Sequence, residues 1–103
     1  MNTLRDPRRR PTHPGEMLRE DILPALGLTQ GEFAHRLGVS RLTVSELLHE
    51  KRAVSPDMAM RLARLLNTTP ESWLNMQQAV DLWELQRGRT RRYVRIKPVR
   101  VAA

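Results

Sequence analysis

Apolar residues recur at intervals of one, three and four in five successive blocks of this chain, and each block is opened by a helix-start signal. His13-Pro14-Gly15-Glu16 opens a first helix with Met17, Leu18 and Ile22 on its apolar side, predicted to run to about Leu23 because Pro24 and Gly27 follow. Thr29 and Ser40 open two short blocks with inward stripes Phe33, Ala34, Leu37 and Val44, Leu47, Leu48. Ser55-Pro56-Asp57 combines an N-cap, a proline at the first helical position and an acid favoured by the helix dipole, ahead of Ala59, Leu62, Ala63 and Leu66. Thr69-Pro70-Glu71 repeats that signal before Trp73, Met76, Val80 and Trp83. Runs rich in Val and Ile are missing before the C-terminal tail, so the expected fold is all-α.

The most informative stretch is Thr29 to Lys51. Thr29 and Glu32 form a capping box, and Gly38 ends the first helix as the residue that takes positive φ without penalty. Val39 plugs the turn, and Ser40 caps a second helix. Two short amphipathic helices joined by a glycine turn are a helix-turn-helix signature. At about 100° per residue, the outer face of the second helix carries Leu42, Glu46 and His49, with Arg41, Thr43 and Ser45 on its flanks.

Each residue on that face has a chemical use in a DNA major groove. Arg41 can donate to guanine O6 and N7, Leu42 and Thr43 can meet a thymine methyl, and Glu46 can accept from cytosine N4. Gln30, Lys51 and Arg52 flank the pair and suit phosphates, which set register without reading sequence. A plain helical hairpin would explain the buried stripes. It leaves the agreement of caps, turn glycine and polar outer face unexplained.

Composition narrows the picture. A chain of 103 residues suits one small domain, and the absence of Cys removes disulfides, thiolate ligands and thiol nucleophiles. The N-terminus has no apolar signal region and no run approaches membrane-spanning length, so the expected compartment is the cytoplasm. The net charge of +7 resides in the tails. Residues 1–13 hold four Arg against Asp6, residues 87–103 hold seven basic residues and no acid, and residues 14–86 hold seven basic against ten acidic side chains. A slightly acidic body must concentrate its few cations, Arg41, Lys51 and Arg52, where it meets DNA, and must gain affinity from dimerisation or from its tails.

The stretches HPGEMLRED, TQGEFAHRLGVSRLTVSELLHEKRAVSPDMAMRLARLL and TTPESWLNMQQAVDL together resemble the HigA antitoxins, a branch of the Xre-like helix-turn-helix proteins. The likeness runs from about His13 to Leu85. It implies a five-helix, lambda-repressor-like domain, which the charge distribution places at 13–86 between a basic arm at 1–12 and a basic tail at 87–103. It further implies a homodimer that represses its own operon on double-stranded operator DNA and neutralises a toxin resembling the RelE/HigB-type messenger RNA endonucleases, with no cofactor. Residue by residue, it assigns DNA-facing positions to Gln30, Ser40, Arg41, Leu42, Thr43 and Glu46, with Lys51 and Arg52 near the backbone, and the helical spacing adds Ser45 to that set. Leu42 and Glu46 depart from the polar amides more usual there, which leaves the operator sequence open. The other reading is a stand-alone Xre-type repressor with no toxin.

The tail RGRTRRYVRIKPVRVAA extends beyond that pattern. Its alternation of Val94, Ile96 and Pro98 with Tyr93, Arg95, Lys97 and Val99 admits a short edge strand, a segment that folds against a partner, or disorder. Trp83, Tyr93, Val94, Arg95 and Ile96 are the candidate toxin-binding residues, with Val94 and Ile96 augmenting a toxin sheet. The arm RDPRRR suggests a flexible segment that reaches phosphate or minor groove. Catalysis finds no support: His13, His35 and His49 lack metal-ligand spacing, Glu20 and Asp21 cannot share a helix face, and no glycine-rich phosphate loop occurs. RNA binding by the tail is poorly supported, since Tyr93 is its only aromatic residue.

Overall fold

All five helix starts form, each held by the cap that the sequence advertises. The computed structural model describes residues 8–88 and 90–100. The side chains of His13, Thr29, Ser40 and Ser55 accept from the backbone N–H of Gly15, Glu32, Thr43 and Met58, and Thr69 Oγ1 accepts from Ser72 N–H at 3.2 Å. The Thr29 capping box is complete, with Glu32 accepting in return from the Thr29 N–H at 2.9 Å.

The first helix, α1, is continuous from Pro14–Met17 through a π-helical stretch, Leu18–Ile22, into Leu23–Leu26. It therefore outruns the expected end at Leu23. Pro24 lacks an N–H and its ring would crowd the carbonyl four residues back, and the wider π turn just ahead relieves both problems. Gly27, with φ 67°, ends the helix instead. The other helices are α2 Gln30–Leu37, α3 Arg41–Leu48, α4 Pro56–Leu66 and α5 Pro70–Gly88, followed by a short α6, Thr90–Val94. Among the described residues there is no strand. Of the tail's alternating residues only Tyr93 and Val94 are helical, Arg95 and Ile96 form a turn and 97–100 have no regular structure, so no partner strand completes an edge.

Gly38 closes α2 at φ 75°, where Val39 N–H donates to Ala34 O and Gly38 N–H to His35 O, the paired bonds of a Schellman turn. This tight reversal lays α2 and α3 against one core. Phe33, Leu18, Val44, Leu47, Leu48 and Leu62 are among its fully buried side chains, and Trp73 closes it from α5 with its indole N–H on Thr68 Oγ1 at 2.8 Å. Gln77, also buried, accepts from Val54 N–H at 2.9 Å and donates to Asp81, so the loop between α3 and α4 is tied to α5. At Gly15 the N-terminal turn of α1 meets α3 so closely that a Cβ there would overlap the Leu47 carbonyl oxygen. The three residues His13, Pro14 and Gly15 thus cap α1, start it and seat it on α3.

Candidate nucleic-acid interface

Helix α3 presents two unlike faces because three of its four large apolar residues, Val44, Leu47 and Leu48, are spaced for one side. Val44, Leu47 and Leu48 are buried, while Arg41 is exposed and Leu42 is 67% exposed, a large apolar side chain held in water. Thr43, Ser45 and Glu46 are half-buried on the flanks. The Ser40 and Thr43 hydroxyls lie 2.8 Å apart and bond to each other, so the N-terminal turn is fixed before any ligand arrives. His49 is exposed, with Nδ1 2.7 Å from the Ser45 carbonyl, and His35 is an exposed residue of α2.

The far end of α3 is built on a second Schellman turn. Glu50 takes φ 62°, with Glu50 N–H on Leu47 O and Lys51 N–H on Glu46 O at 2.8 Å. A side chain in that left-handed region costs about 1 kcal/mol or more. Here the Glu50 carboxylate is held by Arg10 at 3.1 Å and Arg19 at 3.5 Å, and Arg19 also donates to the Leu48 carbonyl at 2.6 Å. The turn sends Lys51 outward and folds Arg52 back over the helix, where its Nε and Nη2 reach Glu46 Oε1 at 3.2 and 2.7 Å. Glu46 and Arg52, read from sequence as a base-edge acceptor and a phosphate ligand, are therefore bound to each other. Gln30 is half-buried at the start of α2.

The polar residues behind this end were hidden in the sequence. Arg10 bridges Glu50 of the turn and Glu84 of α5, at 3.1 and 3.0 Å, and Pro11 is buried, so this part of the basic arm is anchored on the domain. Residues 1–7 of the arm lie outside the described residues. Burial holds the His13 imidazole below its usual pKa; the carboxylates of Glu50, Asp81 and Glu84 oppose this shift and Arg10 adds to it. The HPGE and PESWLNMQ runs were the available signals for His13 and Gln77, because polar residues inside an apolar pattern imply a partner.

The residues read as toxin-binding do not converge on one built site. Trp83 is half-buried on α5 under the Arg87 guanidinium, 4.7 Å from its ring centroid. Tyr93 and Val94 end α6, Arg95 and Ile96 follow it, and all four are exposed. No edge strand forms there to augment a sheet. Among the described residues no three potential ligands cluster for a metal, and no helix is long and apolar enough to cross a membrane.

Comparison with known proteins agrees with this geometry. The helix-turn-helix family matches residues 18–74. Antitoxin HigA-1 of Vibrio cholerae is 39% identical over 99 residues, covering 96% of this chain and 93% of that protein. YbaQ of Escherichia coli, described as an uncharacterised transcriptional regulator, is 45% identical over 78 residues, 76% of this chain and 69% of its own length. The solved structure of antitoxin GraA superposes with a TM-score of 0.83 at 40% identity, covering 88% of this chain and 99% of GraA, and GraA is also solved in complex with its operator. The architecture is thus the lambda-repressor-like one. The chain belongs to the helix-turn-helix family of DNA-binding regulators, in its HigA antitoxin branch, and not to a family of enzymes.

Proposed function

We propose that this protein is the antitoxin of a toxin-antitoxin pair, binding operator DNA to repress its own operon and neutralising a RelE/HigB-like messenger RNA endonuclease. The observation that carries the DNA part is α3 itself: a pre-capped helix with Arg41 and Leu42 exposed on its first turn, in a fold whose relative GraA is solved on its operator. Arg41, Leu42, Thr43 and Ser45 face base edges, Ser40 and Gln30 bond the backbone from helix N-termini, and Lys51 neutralises phosphate. Two copies with recognition helices about 34 Å apart read a palindrome.

The toxin part rests on the likeness to HigA-1 and GraA, both named as antitoxins. Tyr93, Val94, Arg95 and Ile96, all exposed, are the residues offered to the toxin at the end of α6 and just beyond it, and Trp83 contributes separately from α5; contact is by this helix end and the segment after it rather than by an added strand. The test is co-expression with the small adjoining reading frame. Rescue of growth together with co-purification supports the antitoxin reading. An innocuous neighbour that forms no complex favours a stand-alone repressor, the reading that the similarity to YbaQ keeps in view.

A further inference from the structure

Glu46 stands where a carboxylate is costly, on the face of a helix that approaches a polyanion. Its charge is cancelled within the molecule by Arg52, whose Nε and Nη2 both donate to the one oxygen Oε1. Among the described residues, Glu46 Oε2 and Arg52 Nη1 carry no further bond, and the two side chains remain 36% and 46% exposed. The pair thus keeps a free acceptor on Glu46 and a free donor on Arg52, on residues six apart in sequence and joined by the Glu50 turn. Among the described residues, Arg41 and Lys51 of this face have no ion-pair partner.

We propose that Glu46 and Arg52 form one specificity element, in which Glu46 withholds Arg52 from phosphates on unmatched DNA and presents Oε2 to a base-edge amino group on matched DNA. This rests on the DNA-binding function proposed above. Cytosine N4 and adenine N6 donate from the major-groove edge, whereas guanine O6 and N7 and thymine O4 only accept. A carboxylate therefore gains a bond against C or A at that position and meets like-signed acceptors against G or T. Arg52, with Nε and Nη2 on Glu46, turns Nη1 to the adjacent phosphate in the matched register only. Glu46 is a discriminating residue and Arg52 its positioned counter-ion, so removing Glu46 should strengthen binding to unmatched DNA.

The test begins by selecting duplexes from a random library with the wild-type protein. Affinity for the best duplex and for its shuffled sequence is then measured across a salt series for wild type, Glu46→Ala, Glu46→Gln, Arg52→Ala and the double variant Glu46→Ala/Arg52→Ala. Glu46→Ala is expected to bind the shuffled duplex about tenfold more tightly, with the salt slope steeper by about 0.9, the value of one added phosphate contact. Its ratio of selected to shuffled affinity falls by about tenfold or more, as for loss of one base contact. Glu46→Gln keeps the shape without the charge and moves the same way, and the double variant returns the shuffled-duplex slope to the wild-type value. Equal weakening on both duplexes, or an unchanged slope in Glu46→Ala, overturns the proposal. If the wild type enriches no sequence at all, the DNA-binding reading itself fails, a result separate from any behaviour of the variants.

Discussion

Replacing Gly15 by alanine adds one methyl group where α1 crosses α3, and the structure sets what that methyl meets. The new Cβ overlaps the Leu47 carbonyl oxygen and lies 3.2 Å from His13 Nδ1. A backbone carbonyl cannot swing aside as a flexible side chain can, so the first turn of α1 must lift from α3 and carry its His13 cap with it. Overpacking of this kind costs about 1–3 kcal/mol, and a weakened N-cap adds about 1 kcal/mol. For a domain of this size about 2–4 kcal/mol corresponds to a fall in Tm of roughly 8–32 °C. Two other glycines calibrate the measurement. Gly31 lies inside α2 with its nearest neighbour at 4.0 Å, so Gly31→Ala should stabilise by about 0.5–1 kcal/mol. Gly27 has open space but φ 67°, and Gly27→Ala should lose about 1 kcal/mol to the left-handed backbone alone. Chemical denaturation of the three variants gives the order directly. A Gly15→Ala protein as stable as Gly31→Ala would refute the close α1–α3 approach.

The remaining predictions concern the polar groups behind α3. Gln77→Ala leaves the buried Val54 N–H without its acceptor and should destabilise by about 1–3 kcal/mol by urea titration; a neutral outcome would mean that water replaces the amide. Burial lowers the His13 pKa in the folded chain, so the unfolded chain takes up the proton first as pH falls. Stability should therefore rise with pH just below the usual histidine value of 6.5 and level off above it, since protonation also removes the acceptor for Gly15 N–H. His13→Asn, which can still cap, should lose that dependence in thermal melts between about pH 5 and 7; an unchanged profile would assign the titration to another group.

Local chemistry explains what was legible in the sequence. Thr29, Ser40 and Ser55 each needed only a backbone N–H three residues ahead, and the stripes of α2 to α5 needed only helical spacing, so those elements could be placed without tertiary knowledge. Where the outcome depended on space, sequence rules fell short. Pro24 reads as a stop, yet the π turn before it keeps α1 going to Leu26. Glu46 and Arg52 looked like independent DNA ligands because nothing local shows that Glu50 adopts positive φ and brings Arg52 back over the helix. Arg10 looked like part of a free arm, since its partners Glu50 and Glu84 are far along the chain. Val94 and Ile96 alternate as an edge strand does, but alternation stabilises a strand only beside another one; Val94 instead ends a short helix, Ile96 lies in the turn after it, and residues 97–100 have no regular structure.

The proposed function requires that α3 read a specific DNA sequence through its first turn. The most direct test is the equilibrium binding of wild type and Arg41→Ala to the duplex upstream of the gene and to a shuffled duplex of equal length and composition. The wild type should prefer the upstream duplex by about a thousandfold or more. Arg41→Ala should lose about 1–3 kcal/mol on it and much less on the shuffled one. Equal wild-type affinity for the two duplexes, or an equal loss on both in the variant, would contradict sequence reading by α3.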